Sequence, residues 1–230
     1  MSYYFWILLG TIAGPLLLSF DKKVHFYTHW KSFALATIIV ASGFLIWDEY
    51  FTQLKVWGFT PKYLSGIYLG HLPLEEVLFF VLVPYACLFI HEVLKAYFPQ
   101  LKLDLLGKIF SFTFIFSGLL LALTHLEQWY TLSACSIAAL LLIRFAFQLK
   151  VSWLGNFALT YLVALIPFFV VNGLLTGIAS EQPVVWYSKA HITGVRLTTI
   201  PLEDLYYNLC MLLPIIAIHE WLRTKNKAKG

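Results

Sequence analysis

Two pairs of adjacent carboxylic acids occur in nearly the same local sequence at two places in the chain. Glu75–Glu76 lie in LPLEEVLFF, residues 72–80, and Glu203–Asp204 lie in IPLEDLYYN, residues 200–208. Each pair stands at the start of a long apolar run. A carboxyl group in a water-poor pocket, or beside a second carboxyl, can keep its proton near neutral pH and act as a general acid. An ionised partner can act as a base or balance a cation, so the motifs predict acid–base chemistry.

Helix capping is the competing interpretation of the same motifs. Proline is favoured in the first turn of a helix, and an acidic side chain there contributes about 0.3–1 kcal/mol. Capping accounts for one motif, but not for two that are framed identically. Adjacent helical residues differ by about 100°, so one acid of each pair can face the bundle interior while its neighbour caps. All four acids are therefore catalytic candidates, and Glu75→Gln and Glu203→Gln should remove most activity if these two residues transfer protons.

The composition predicts that the motifs belong to an integral membrane protein. Of the 230 residues, 60% are hydrophobic and 12% are charged, about half the charged fraction of soluble domains. Apolar stretches of about 20 residues recur, and none has the polar face of a soluble helix. The first stretch has no basic residue before it and is interpreted as a retained helix rather than a signal peptide. We predict an all-α fold with seven transmembrane helices at about 3–20, 32–47, 74–94, 105–124, 132–149, 153–175 and 202–222.

Cysteine content and charge exclude several other classes of protein. Cys87, Cys135 and Cys210 all lie inside apolar runs, so they suggest neither a disulfide framework nor a zinc site. The formal net charge of +4 comes largely from loops and from the C-terminal tail. It indicates charge at a membrane surface rather than nucleic-acid binding.

The chain is predicted to contain a parallel internal duplication. With an offset of 128 residues the two acidic motifs superpose, and so do the His–Glu pairs at 91–92 and 219–220. The motifs open the third and seventh predicted helices, which cross the membrane in the same direction. Functional sites tend to form where such halves meet. The predicted units are a first repeat over residues 1–104, a connecting transmembrane helix over 105–124 and a second repeat over 125–230.

Aromatic residues are dense around both motifs and make up 18% of the chain. Aromatic faces attract a cation within about 6 Å and offer no nucleophile to trap it. The alternative is the interfacial aromatic belt of any membrane protein. Asp48 and Asn172, each predicted to close the helix before a motif, are candidate polar counterparts in the two halves. The candidate substrate-binding residues are Phe79, Tyr207, Trp47, Asp48, Asn172 and Trp57.

The histidines have mainly structural interpretations. The pairs at 91–92 and 219–220 lie at the far ends of the motif helices, about a membrane thickness from the acids, where histidine interacts favourably with the helix dipole. Neither pair forms H-E-x-x-H, so no zinc protease site is predicted. His71 precedes the first motif and is a minor candidate to orient its acids, and His191 lies in the loop before the second.

Taken together, these motifs resemble the non-flavin lycopene cyclase domain family of bacteria, archaea and fungi, in its fused single-chain form. The pattern P-x-E-[ED]-x-x-[FY] matches at Pro73, Glu75, Glu76 and Phe79, and again at Pro201, Glu203, Asp204 and Tyr207. The resemblance implies a lycopene β-cyclase, an isomerase of the intramolecular lyase type that closes ψ ends into β-ionone rings without net redox. It implies lycopene or a related acyclic carotenoid as substrate, membrane lipid as surroundings, and no cofactor, metal or nucleic acid. A homo-oligomer is left open.

The main alternative is a non-catalytic seven-helix membrane protein, such as a small transporter or a lipid- or carotenoid-binding protein. Prolines inside the apolar segments are also typical of transporter helices, so a transporter remains an alternative. A retinal Schiff-base receptor needs a lysine in its last helix, and residues 202–222 contain none. No D-D-x-x-D motif or multi-histidine box is present, which disfavours prenyltransferases and di-iron desaturases. No G-x-G-x-x-G is present either, which disfavours a flavin fold.

The basic residues predict a multi-pass protein of the cell membrane, with the N-terminus outside and the C-terminus in the cytoplasm. Positive charge accumulates on the cytoplasmic side, and eleven loop or tail cations lie on one side against four on the other. Both acid motifs then lie toward the outer face. A reporter that is active only in the cytoplasm should work at the C-terminus and fail at the N-terminus. The reverse result would contradict this topology.

Overall fold

Seven α-helices build the structure, a computed structural model that describes residues 2–227. Within this range the helices are α1 Tyr3–Leu18, α2 Trp30–Gln53, α3 Leu74–Tyr97, α4 Asp104–Thr124, α5 Trp129–Ile143, α6 Leu154–Leu175 and α7 Glu203–Lys227. Six helical segments are long and apolar enough to cross a membrane, and α1 is a shorter apolar helix of 16 residues. The predicted all-α membrane fold is confirmed.

Two helix ends differ from the sequence prediction. Helix α2 continues to Gln53, so Asp48 lies inside the helix and does not close it. The fifth predicted segment, 132–149, is α-helical to Ile143 and then forms a π-helical turn, Arg144–Gln148. In this turn the Arg144 side chain donates a hydrogen bond to Gln148 Oε1 at 2.8 Å. Such an internal bond satisfies a charged group near the end of an apolar helix.

The surface of the bundle is apolar around its middle. Large aliphatic side chains are exposed there, including Ile46 at 72%, Leu123 at 71% and Ile166 at 70%. A soluble protein rarely exposes apolar patches of this extent. In a bilayer these side chains contact lipid, so their exposure costs nothing and supports a multi-pass membrane protein.

The two groups of three helices interlock. Helix α1 packs on α3 and α5 packs on α7, but α2 packs more on α7 than on α3, and α6 packs more on α3 than on α7. Each middle helix therefore contacts the motif helix of the other group. Helix α4 packs against α5 and α6 and has no counterpart among the first three helices.

Six short strands connect the helices at the motif end of the bundle. They are β1 Trp57–Phe59, β2 Tyr68–Leu69, β3 Leu72–Pro73, β4 Val185–Tyr187, β5 Arg196–Leu197 and β6 Ile200–Pro201. Hairpins β2–β3 and β5–β6 each lead directly into a motif helix. Their preceding glycines, Gly66 and Gly194, have φ values of 82° and 80°, a conformation that glycine adopts without strain.

Strands β1 and β4 pair antiparallel across the two halves, with Gly58 opposite Trp186. These two residues are 128 positions apart. Equivalent residues that face each other mark a pseudo-twofold axis, because only at such an axis does a position meet its own counterpart. The axis runs through the strand pair that covers the motif end.

At the opposite end of the bundle the His–Glu pairs bind one another across the same axis. His91 Nε2 lies 3.0 Å from Glu220 Oε1, and His219 Nε2 lies 3.2 Å from Glu92 Oε1. The other ring nitrogens bond to Thr160 at 2.8 Å and to Ser32 at 3.0 Å, again 128 residues apart. The sequence explained these pairs through the helix dipole, whereas the structure shows that they join the halves.

Two cations complete this network in the same reciprocal way. Lys95 of α3 pairs with Glu220, and Arg223 of α7 pairs with Glu92. The lysine and the arginine are also 128 residues apart. Because each glutamate is held by the opposite motif helix, the network holds α3 and α7 together at this end.

We expect Glu92→Gln to lower the thermal unfolding midpoint of the detergent-solubilised protein. Glu92 is only 5% exposed, and the substitution leaves Arg223 without its ion-pair partner. Removing one member of a buried ion pair costs about 3 kcal/mol. Glu181→Gln is the control. The Lys62–Glu181 ion pair has an N–O distance of 2.9 Å, but both of its side chains are exposed. Its loss should therefore cause no measurable change in the unfolding midpoint. Equal midpoints for both variants would contradict a structural role for the network.

Candidate active site

The two motifs place their acids in the first turns of α3 and α7. Pro73 caps α3 in an extended conformation, with φ −66° and ψ 150°, and so turns the chain from strand β3 into the helix. The acids are nevertheless buried: Glu75 and Glu203 are each 1% exposed, Glu76 is 8% and Asp204 is 4%. Simple capping acids remain in water, so the burial calls for specific partners.

The first acid of each pair binds the loop that precedes it. In both halves one carboxylate oxygen accepts from a backbone N–H ten residues upstream and from a hydroxyl at the start of the first helix of that half. The donors are Ser65 N at 2.6 Å and the Ser2 hydroxyl for Glu75, and Thr193 N at 2.6 Å and Thr131 Oγ1 at 2.6 Å for Glu203. These acids therefore position loops and helix ends.

The second acid of each pair is held by tyrosine hydroxyls. Tyr4 donates to Glu76 Oε2 at 2.7 Å. Asp204 accepts from Tyr130 at 2.7 Å and from Tyr187 at 3.0 Å, one phenol on each oxygen. Tyr187 lies in the β4 loop, where burial and the nearby Asp204 charge raise its pKa well above the usual value, so its hydroxyl remains a donor.

Glu76 and Asp204 line one cavity of about 60 Å³ between the two halves, whereas Glu75 and Glu203 are not part of its wall. The cavity lies beneath the β1–β4 pair, because Trp57, Phe59, Val185 and Tyr187 of these strands also line it. The structure thus brings together one acid of each motif in a partly open space with many aromatic residues in its wall. In both motifs the second acid faces the cavity and the first acid does not, a choice that the sequence left open.

Five of the six predicted substrate-binding residues lie on this cavity: Phe79, Tyr207, Asp48, Asn172 and Trp57. Trp47 lies behind them and packs its ring on Tyr207 with 5.1 Å between centroids. Trp57 and Tyr207 are 6.0 Å apart. Together these rings form one aromatic wall of the cavity.

Asp48 and Asn172 both line the cavity but are not counterparts. The offset of 128 residues that relates the strand pair and the His–Glu network places Asp48 opposite Thr176, and Asn172 opposite Phe44. Pairing the two would require an insertion in one half, and the contacts from Ser32 to Gly58 repeat at a constant offset. The proposed correspondence was therefore wrong.

The two minor histidine candidates lie outside the cavity wall. His71 bonds through Nδ1 to Glu49 Oε1 at 2.6 Å and through its backbone N–H to Oε2 at 2.9 Å, so it holds α2 rather than a motif acid. His191 stacks on Trp129 with 5.0 Å between ring centroids. Neither residue touches Glu76 or Asp204 in the described chain.

Sequence reasoning missed the tyrosines that hold the cavity acids, and the polar residues Asn208 and Thr176. The available signal was that Tyr4 and Tyr130 stand in the first turns of α1 and α5, the first helices of the two halves. A tyrosine there looks like an ordinary interfacial aromatic. Only the packing of α1 on α3 and of α5 on α7 shows that each phenol reaches an acid.

Two buried polar atoms of the cavity residues have no hydrogen-bond partner within residues 2–227. They are Asp48 Oδ2 and the Tyr207 hydroxyl. An unsatisfied buried group costs about 1–3 kcal/mol, so it persists mainly where function or a bound molecule requires it. One carboxylate oxygen of Glu75 and one of Glu203 are also buried without a partner in the described part of the chain, so unsatisfied polar atoms occur both at the cavity and at the first acid of each motif.

A model of the family described as Lycopene cyclase matches residues 1–94 and 127–222. A search of curated proteins and a search of solved structures found no match. The matched residues make up most of the chain and contain both acid motifs, so the chain belongs to the lycopene cyclase family. Its substrate is accordingly an acyclic carotenoid.

We expect Gly58→Ala to destabilise the cover of the cavity. A Cβ at this position would lie 2.3 Å from Trp186 Cζ2, so the ring and strand β4 must move. The thermal unfolding midpoint in detergent should therefore fall. In a Trp186→Ala background the same glycine substitution should cause almost no further change, because the obstructing ring is gone. Equal, additive effects in the two backgrounds would contradict this contact.

Proposed function

We propose that this chain is a lycopene β-cyclase of the fused, non-flavin type. It converts ψ ends of lycopene into β-ionone rings by proton transfer. The observation that carries the proposal is the meeting of Glu76 and Asp204, one acid from each half, on a single aromatic cavity. The reaction as proposed consumes no oxidant or reductant, because substrate and product are isomers, and it uses carboxyl groups alone for the proton transfers.

Glu76 is proposed as the general acid. Tyr4 occupies only Oε2 of this carboxyl group, whereas both oxygens of Asp204 accept a phenol. A carboxyl group with fewer donors to its ionised form keeps its proton more readily, so Glu76 is the acid that meets the substrate in the protonated form. Transfer of its proton to the terminal double bond of the ψ end leaves a tertiary carbocation on the substrate and a carboxylate on Glu76.

The cation is consumed by ring closure. The nearby alkene of the same chain attacks it, one carbon–carbon bond forms, and the positive charge moves to a ring carbon. Trp57, Phe79 and Tyr207 line the cavity and can face this charge. An aromatic face contributes about 0.5–2 kcal/mol to a desolvated cation, and none of these side chains is a strong nucleophile.

Asp204 is proposed as the base that removes a ring proton and creates the ring double bond. Two phenol donors stabilise its ionised form before the proton arrives. Each turnover thus moves one proton from Glu76 to Asp204, and this proton has to return before the next. A cavity of about 60 Å³ has room for a few waters, at roughly 10–15 Å³ of such space each, that can carry it back.

Glu75 and Glu203 are proposed to act as positioning residues. They hold Ser65 and Thr193, in the loops before hairpins β2–β3 and β5–β6, and so fix where each motif helix starts. Both halves contribute an acid, which supports a fused arrangement with repeats over residues 1–104 and 125–230 and a connecting helix over 105–124. The single chain is therefore expected to be active without a second subunit, in the cell membrane, with its acid cavity toward the outer face.

Carboxamide substitutions separate the two kinds of acid. Glu76→Gln and Asp204→Asn should lower cyclisation about 10²–10⁴-fold, because an amide keeps the shape but cannot transfer the proton. Glu75→Gln and Glu203→Gln should keep most activity, because the amide oxygen can still accept the loop N–H. The measurement is pigment conversion by purified variants in lipid vesicles, at matched thermal midpoints.

Two outcomes would contradict the proposal. If Glu75→Gln and Glu203→Gln abolish conversion while Glu76→Gln and Asp204→Asn keep it, the roles are reversed. If the well-folded wild-type chain retains lycopene but never converts it, the protein is a carotenoid-binding protein rather than a cyclase.

A further inference from the structure

The acid cavity adjoins a second, narrower space between α3 and α6. Val83, Phe168, Asn172 and Asn208 line both spaces. The second space measures about 30 Å³ and is otherwise apolar. Shared walls place the two spaces side by side along α3, with the Phe168 side chain on the boundary between them.

This narrow space adjoins a groove of about 550 Å³ between α1, α3 and α6. The two again share wall residues, namely Thr11, Ala86, Ile90, Pro167 and Val171. The groove is on the bilayer-facing side of the bundle, since Trp6 and Val170 on its walls are 59% and 60% exposed. The three spaces therefore lie in a row, a path from the acids to the lipid.

The groove has the length and chemistry of an extended apolar chain. It follows α1 from Tyr3 to Pro15, twelve residues or about 18 Å along the helix axis. Its walls are glycine, proline, aliphatic and aromatic side chains, with Thr11 as an exception. Thr11 donates to the Ile7 carbonyl oxygen at 2.9 Å, so its hydroxyl is already satisfied.

The pseudo-equivalent path on the other side of the axis is filled. The residues 128 positions from Asn172 and Asn208 are Phe44 and Phe80. These two rings pack 6.0 Å apart, and Phe44 lies 5.0 Å from the Tyr207 ring. The fold thus keeps one side closed with aromatic side chains and leaves the other side connected to the membrane.

We infer that the acyclic carotenoid enters the acid cavity sideways from the bilayer, through the groove between α1, α3 and α6, and that its polyene chain lies in this groove during cyclisation. The inference rests on the proposed cyclase function and adds where the substrate binds. One end group reaches Glu76 and Asp204, while the rest of the apolar chain stays at lipid depth. An acyclic carotenoid has no polar group to draw it through the water-facing end of the bundle.

Phe168 is the gate of this route. It lines both the acid cavity and the narrow space, so its ring must turn aside for an end group to pass. The preceding Pro167 lies inside α6 and lacks the N–H that would tie it to the previous turn. A break in the helix hydrogen bonding at this point allows local movement without unfolding α6.

Gly10→Trp tests the route by filling the groove. Gly10 lies on the groove wall, is exposed, and has no atom within 4 Å of an added Cβ, so the substitution does not disturb the core. Gly43→Trp is the matched control, because Gly43 is also an exposed helical glycine with open space around it but lies outside the groove. In lipid vesicles at limiting lycopene, Gly10→Trp should lower the rate about tenfold or more, and Gly43→Trp should match wild type.

A binding measurement separates this inference from the catalytic proposal. The same variants, purified from cells that accumulate lycopene, are compared for the carotenoid that each retains per protein, with or without Asp204→Asn. Gly10→Trp should retain several-fold less than Gly43→Trp in both backgrounds. This holds even if the wild-type chain proves to bind lycopene without converting it, in which case the function fails and the route stands. The route would be overturned if Gly10→Trp showed the wild-type cyclisation rate and retained as much lycopene as wild type. It would also be overturned if no variant retained lycopene.

Discussion

The cost of burying carboxyl groups in an apolar bundle governs this structure. Four acids lie in the first turns of α3 and α7, and each needs donors that an apolar helix does not provide. Each acid takes one donor from the start of the first helix of its own half, namely Ser2 and Tyr4 on one side and Tyr130 and Thr131 on the other. Satisfying the acids therefore fixes how α1 meets α3 and how α5 meets α7.

Reciprocal contacts then hold the two halves together at both ends. The β1–β4 pair joins them above the acids, and the His–Glu network joins them at the far end of the same two helices. Since α2 and α6 also cross to the opposite half, residues of both halves line the acid cavity. A site that needs one acid from each half is a direct consequence of this interlocking.

Departures from the pseudo-symmetry are as informative as the symmetry. Two phenols hold Asp204 and one holds Glu76, which favours different roles for two acids in equivalent positions. Phe44 and Phe80 close one side of the site, while Asn172 and Asn208 stand at the corresponding positions on the open side. These differences support the proposed direction of proton transfer and the inferred entry of the apolar substrate from one side.

The sequence by itself determined the membrane class, the seven helices, the repeated acid motifs and the family. Apolar segments of membrane length, and a double motif at one offset, are properties of the chain that need no packing information. It did not determine which acid of each pair faces the cavity, or that Tyr4, Tyr130 and Asn208 belong to the site. Adjacent helical residues point 100° apart, and only the neighbouring helices decide which direction is inward. The tertiary structure made that choice, because loop N–H groups bind the first acid of each pair and phenols on the cavity wall bind the second.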